Sequence, residues 1–512
     1  MRGLSFETTR PVARAHPARA DIALVVGWTT RRPGAVVPRP IAEWLRANGH
    51  VPDRRYEAHD WTDRSLRGLP LPIDDWPTFD ALFDWHARPV KDSAGTADDW
   101  CGLALRDFFA NGGRKAWFVP LGRPWPLGAV PDRDVRRATL LAGIRQAWTL
   151  DEVALVLVPD LPEFCIDAPP PLPGDPRMAP TAPEVFVECG TEVFATPAVD
   201  GVRRLRAPRL DDHGFFRWNT LVDEIRATLA RQRRDVMLLL AAPLATRDSQ
   251  AAKALGRAVR IEASQVQCAT PWLKPLRSVR TPEGLVPPDG ALAGLVAASV
   301  LAHGPVRPAS GQAPQGVMAV EPQPRDVEWR APDRNRTSAD LRRPGASRAD
   351  WPLAEVFALF GPTADGIRLL SDPSLSALRE WRSAGVVRLL GQLLRTARIV
   401  GATLVFEPAG EALWARVRDR FTDLLTRYWQ AGALRGATAD DAFTVRCDRG
   451  TTTQNDIDGG RVVVQVEFAP QAAIESVRVS LALAEDGSVH WQDAAALDDA
   501  VRVPEPDEET LP

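Results

Sequence analysis

The 512-residue sequence predicts a multidomain chain of the α/β and α+β classes. Three observations carry that reading. The chain is too long for one ordinary hydrophobic core, so two or three domains are expected. Short continuous apolar runs alternate with helical patterns through the first 300 residues, the order that gives a parallel or mixed sheet covered by helices. The last third instead pairs one long amphipathic helix with strands of strict two-residue alternation.

Taken in order, residues 1–20 are polar and interrupted by proline, with one strand-like piece in which Leu4, Phe6 and Thr8 alternate with polar neighbours. An isolated strand cannot bury its face alone and needs a partner. "DIALVVGW" (21–28) reads as a buried strand. "WCGLALRDFFANGGRKAWFVPLG" (100–122) reads as a helix ended at Asn111-Gly112-Gly113, followed by a strand from Lys115 to Leu121. "EVALVLVPD" (152–160) and "DVMLLLAAP" (235–243) are further core strands, with the amphipathic helix "TLVDEIRATLARQRR" (220–234) between them. "VPPDGALAGLVAASVLAHG" (286–304) is expected to be a helix capped by Asp289. Residues 325–350, rich in Arg, Pro, Ser and Asp, read as a surface connection or domain boundary.

Beyond it, "ATLVFEP" (402–408) is expected to be a strand. In residues 411–432 a helix places Leu413, Trp414, Val417, Phe421, Leu424, Leu425 and Tyr428 on one face and ends at Gly432. Two alternating strands follow: Val464, Val466 and Phe468 share a face in the first, and Val477, Val479, Leu481 and Leu483 in the second. The chain then turns acidic and closes on "VPEPDEETLP", which reads as a solvated tail.

Composition excludes several classes. A net charge of −3 argues against nucleic acid as a main partner. No apolar run reaches the about 18 residues of a membrane span. Five scattered cysteines form no C-x-x-C pair and read as reduced, buried thiols. No phosphate loop, close histidine pair or G-x-S-x-G is present. Catalytic, cofactor and metal residues are therefore expected to be none. Asp160 and Glu163, after a core strand, are the acids best placed for chemistry, although Pro159, Asp160 and Pro162 are all turn formers and a turn is the preferred reading. Asp440 and Asp441 resemble a helix start capped by Thr438, and Cys447 falls on the apolar face with Phe443 and Val445. Among the seventeen tryptophans, Trp117 and Trp414 fit core packing better than a sugar-binding surface.

Residues 405–470 run strand, Phe-Glu-Pro, long helix, Gly-Ala turn, "AFTVRCD" strand, Thr/Gln/Asn-Asp loop, Gly-Arg, strand. Upstream come "FFANGGRKAWFVPLG", "VLVPDLP" and "TPWLKP…VPPDGALAGLVAASVLAHGPVRPASGQ". As an ordered set these resemble the contractile tail sheath family of phages and bacterial injection systems, over about residues 21–484. The resemblance implies a middle α/β domain (21–325) of subtilisin-like, non-catalytic fold with a chain-specific insertion at about 165–215. A connection at 326–350 would lead to a C-terminal sheath domain (351–484) with a mixed sheet and long helix. An N-terminal arm (1–20) and an acidic tail (485–512) would flank them.

The family's function implies a subunit that polymerises helically around an inner tube and contracts to drive it through a target envelope. Partners would be other copies, the tube protein, baseplate and cap proteins and other sheath paralogues, without nucleic acid or membrane insertion. Assembly would take place in the cytoplasm of the producing bacterium, in a particle that can be released. Strand arms at Leu4, Phe6, Thr8 and at Val477, Val479, Leu481, Leu483 would add to neighbours' sheets. Arg416, Arg420 and Arg427 on the long helix would face the tube. Ala409 after Phe-Glu-Pro and the single Arg388 in "GVVRLLGQLLR" depart from the family pattern and keep a divergent minor paralogue near baseplate or cap as an alternative. A hydrolase using Asp160 or Glu163 is the alternative from another class.

Overall fold

The computed structural model describes residues 19–50, 61–167, 199–323, 351–404, 410–471, 477–484 and 489–493. The larger of its two principal sheets has eight strands: β1 (Ala23–Gly27), β2 (Leu71–Ile73), β3 (Ala116–Pro120), β4 (Leu155–Leu157), β5 (Met237–Ala241), β6 (Val266–Thr270), β9 (Ala358–Thr363) and β10 (Gly366–Leu369). Between them in sequence, β7 (Trp272–Pro275) and β8 (Val317–Glu321) form a separate antiparallel ribbon. The spatial order of the large sheet is β10-β9-β6-β5-β4-β1-β3-β2. The six central strands are parallel, and β2 and β10 close the edges antiparallel.

Every residue of β1, β3, β4, β5 and β6 is buried, which is why these strands read as unbroken apolar runs. One face packs on α1 (Trp100–Ala110), α4 (Asp289–His303) and α5 (Ala384–Leu404); the other packs on α2 (Arg133–Ile144) and α3 (Asp212–Ala230). Close approach explains two glycines of α4. A Cβ at Gly290 would overlap the backbone of Ala104, and one at Gly294 the carbonyl of Phe108. The turn after α1 uses Gly112 at φ +105°, where other residues are strained.

The smaller sheet is the ladder β11 (Phe443–Arg446), β12 (Arg461–Phe468), β13 (Val477–Ala484) and β14 (Val489–Asp493), antiparallel throughout. It is not the mixed sheet expected for this region: the connections from β12 to β13 and from β13 to β14 are too short for a parallel crossover, and β11 also pairs antiparallel with β12. Val466 lies opposite Val445 on one side and Val479 on the other, and Val464 lies opposite Leu481. That apolar face meets α5 and the buried stripe of α6 (Glu411–Gln430), which comprises the seven apolar residues expected from periodicity.

Three local expectations change. Residues 402–404 are the last turn of α5, not a strand, because they continue its helical pattern; 405–408 lie outside the described residues. Pro288 stands at the N-cap of α4, so Asp289 is its first helical residue and not its cap. Residues 358–369, placed by sequence with the C-terminal region, add β9 and β10 to the large sheet.

Candidate functional site

In open α/β sheets ligands gather beyond the carboxyl ends of the strands, where the winding reverses. Here that place is the end of β1, between β3 and β4, and sequence reasoning had pointed at Asp160 and Glu163 beside it. Asp160 follows β4 and accepts the amide of Trp28 at 2.9 Å and the thiol of Cys101 at 3.2 Å. A Cβ at Gly27 would collide with both Asp160 and Cys101, so glycine is required to bring β1 this close. Glu163 takes a two-pronged ion pair from Arg88 at 2.8 and 2.7 Å and also accepts the indole N–H groups of Trp100 and Trp125. Asp99 caps α1 through the Gly102 amide and accepts the Thr29 hydroxyl at 2.6 Å.

These groups are all buried. Burial pushes Asp99 up to about 8 and Asp160 up to about 6, each opposed by its hydrogen bonds. Asp289, on α4, is raised by burial to about 7. Burial likewise drives the Cys101 thiol well above its ordinary range, the reverse of what a nucleophile needs. Asp160 and Glu163 are committed to tying the sheet's end to α1 and to the Arg88 segment. The hydrolase alternative, which depended on freeing one of them, is set aside. Among the described residues no group of three or more His, Cys, Asp or Glu could hold a metal.

The remaining sequence-marked residues are scaffold as well. Thr438 and Asp441 form a reciprocal capping box, and Cys447 is buried, its thiol raised to about 12 by burial. Trp117 and Trp414 are core residues.

Sequence reasoning missed two buried ionic clamps on α5. Arg388 donates to Asp372 at 3.0 Å and to the carbonyls of Pro305 and Arg307, while Asp372 also accepts from Gln267 and from the Ala309 amide. Arg395 and Arg398 converge on Asp235, at the foot of β5, where Arg233 already makes a two-pronged pair at 2.9 Å. Burial alone would raise Asp235, yet the three guanidinium groups outweigh it and hold the carboxyl below its ordinary range. The signal was present: Arg388 and Arg395 stand seven apart within the apolar stripe of α5, so both point inward.

Of the residues expected at assembly surfaces, Arg416, Arg420 and Arg427 are exposed on α6, on one flank of its buried stripe. Leu4, Phe6 and Thr8 lie outside the described residues. Val477, Val479, Leu481 and Leu483 lie in the small sheet. Val477–Ala484 is an interior strand, bonded to β12 on one side and β14 on the other, with Val479, Leu481 and Leu483 buried in this chain's own core. It offers no open edge in this state. Among the described residues the outer strands β11 and β14 pair on one side only.

A doubly wound sheet joined through one helix to an antiparallel sheet defines a mixed α/β architecture of two sheets. No protein-family profile matches the chain, and no curated protein matches it. Solved structures match nearly end to end. A chain of the anti-feeding prophage (AFP) baseplate aligns at TM-score 0.55 and 19% identity over 92% of this chain and 96% of its own. The PVC sheath complex of an extracellular contractile injection system, in its contracted state, aligns at 0.53 and 17% over 93% and 94%. The contracted AFP helical sheath aligns at 0.52 and 19% over 92% and 98%. The chain has the fold of contractile-system sheath proteins, as its sequence resemblance implied. No helix among the described residues is long and apolar enough to cross a membrane.

Proposed function

We propose that the chain is a subunit of a contractile sheath, polymerising helically around an inner tube and contracting to drive it through a target envelope. The observation that carries this reading is the likeness to chains of two contracted sheath structures over 92–93% of the sequence. Its partners are other copies, the tube protein and the baseplate and cap proteins. Assembly takes place in the cytoplasm of the producing bacterium. Six parallel strands covered on both faces support the finer, subtilisin-like reading of the large sheet, without protease chemistry.

Open edges at β11 and β14 favour strand addition by neighbours. The segment Leu4, Phe6, Thr8 serves as a donor strand. The hairpin β13–β14, with Val477, Val479, Leu481 and Leu483, pairs here with its own β12, and the same pairing closes on a neighbouring chain by exchange of an identical element. Arg416, Arg420 and Arg427 face the tube.

Negative-stain microscopy of the chain co-expressed with its tube protein tests the proposal. Striated tubes of uniform diameter are expected. Removing residues 1–18 should abolish them and leave a folded monomer, whereas discrete particles from the intact chain would count against the sheath reading. Reversing charge at the three arginines should weaken tube binding alone. The AFP baseplate chain, at TM-score 0.55, favours a second reading as a minor sheath subunit beside the baseplate, for which short collars in place of long tubes are the expected product.

A further inference from the structure

Beyond the carboxyl end of β3, Arg67 and Arg136 approach one loop, and neither makes an ion pair with a carboxylate among the described residues. Gly122 and Arg123 follow β3. Arg67 lies over Gly122, where a Cβ would stand 3.1 Å from its Nε, and that Nε donates to the Leu121 carbonyl at 2.8 Å. Gly122 adopts φ +106°, so both space and backbone demand glycine under the arginine. Arg136, on the first turns of α2, donates to the Arg123 carbonyl at 3.3 Å and sits over the Trp28 and Trp125 rings, 5.6 and 5.2 Å from their centroids. The two indoles are themselves packed edge to face, centroids 5.3 Å apart.

A solvated surface charge would be mobile and hydrated. Arg136 is restrained instead: it is half-buried and held by two aromatic faces. Burial lowers its pKa, and Arg67 and Arg88 lower it further, against attraction from Asp160 and Asp132. Asp160 is sealed below and already bonded to Trp28 and Cys101. Arg88 is spent on Glu163. Among the described residues Arg67, Arg123 and Arg136 make no ion pair, and the Nη groups of Arg67 have no partner. Like charges held together in this way are relieved by an anion, and planar forks on a fixed frame suit a two-oxygen acceptor.

We propose that Arg67 and Arg136, on either side of the Gly122–Arg123 loop, form a receptor for an oxyanion, either a carboxylate or a phosphate group. Two sources present that chemistry: an acidic side chain of a second copy of this chain, or a free small anion. The first source rests on the sheath reading; the site itself does not.

The test uses the full chain, the R67Q and R136Q variants, and the double variant. Thermal unfolding is followed as pyrophosphate replaces chloride at constant ionic strength. Self-association is followed by sedimentation at low and high salt. A saturable rise in melting temperature of about 2 °C in the native chain, lost in R67Q, supports the site and names a free anion as its ligand. Low-salt association lost in R67Q supports it with a second copy as the source. A pyrophosphate response and an association state that are the same in the native chain and in R67Q overturn the proposal. Arg67 is exposed and holds one carbonyl, so R67Q decides the matter even if R136Q, which strips a guanidinium from two tryptophans, fails to fold. Failure of tube formation with an intact anion response would reject the sheath reading and leave this site standing.

Discussion

At the scale of the residue, the buried acids set the pH behaviour. Asp99, Asp160 and Asp289 have folded values of about 8, 6 and 7, all above the ordinary 3.8. The folded chain therefore keeps protons that the unfolded chain releases. Their contribution to stability is full below about pH 4 and is lost as pH rises through 6 to 8. Asp235 works in the opposite sense: its lowered value contributes above about pH 4 and is lost in acid. Urea midpoints should consequently fall between pH 5.5 and pH 8.5. Asp289→Asn should flatten that slope, and an unchanged slope would remove Asp289 from the account. Asp235→Ala leaves the guanidinium groups of Arg233 and Arg395 buried without their acid and should cost about 3–5 kcal/mol. Arg398→Ala, at a partly exposed member of the same cluster, should cost under about 1 kcal/mol.

At the scale of the element, α5 is the part on which both sheets depend. A Cβ at Gly391 would press on the Asp235 carbonyl, and one at Gly385 on the Val306 carbonyl. The helix thus lies backbone to backbone against the large domain at two points, each beside a clamp, while its other side covers β13. Gly391→Ala should lower stability by about 1–3 kcal/mol through overpacking, read by equilibrium denaturation. In the small sheet, Leu481 fills the core opposite Val464. Leu481→Ala should cost about 2–5 kcal/mol and loosen the β13–β14 hairpin, seen as faster amide exchange there.

At the scale of the whole molecule, one hydrophobic cluster runs from the large sheet through α5 to the small sheet. Chains of this length commonly unfold in stages. Here the shared core and the two clamps should merge the described parts into one calorimetric transition. Removing both clamps with the double variant R388A/R395A should split it in two, while a single transition in that variant would mean that the apolar contact alone couples the sheets. For a sheath subunit such coupling has a mechanical meaning. Under the proposed sheath function, force received on one sheet would reach the other without a soft joint, and movement on contraction would fall between subunits.

Much of this was legible in sequence, because burial on both faces writes itself as unbroken apolar runs and burial on one face as periodicity. The strands at 23–27, 155–157 and 237–241, the stripe of α6 and the alternation of β12 are of that kind, as was the ordered set of segments that resembled the sheath family. Local signals also located the Gly112 turn and the Thr438 cap. The sheet to which 358–369 belongs, the two-sided pairing of 477–484 and the partners of Asp235, Asp372 and Glu163 were decided by tertiary structure alone. A strand's alternation tells which face is apolar and is silent about which neighbour sits at its edge. An inward arginine likewise does not announce an acid that lies 160 residues away, as Asp235 lies from Arg395.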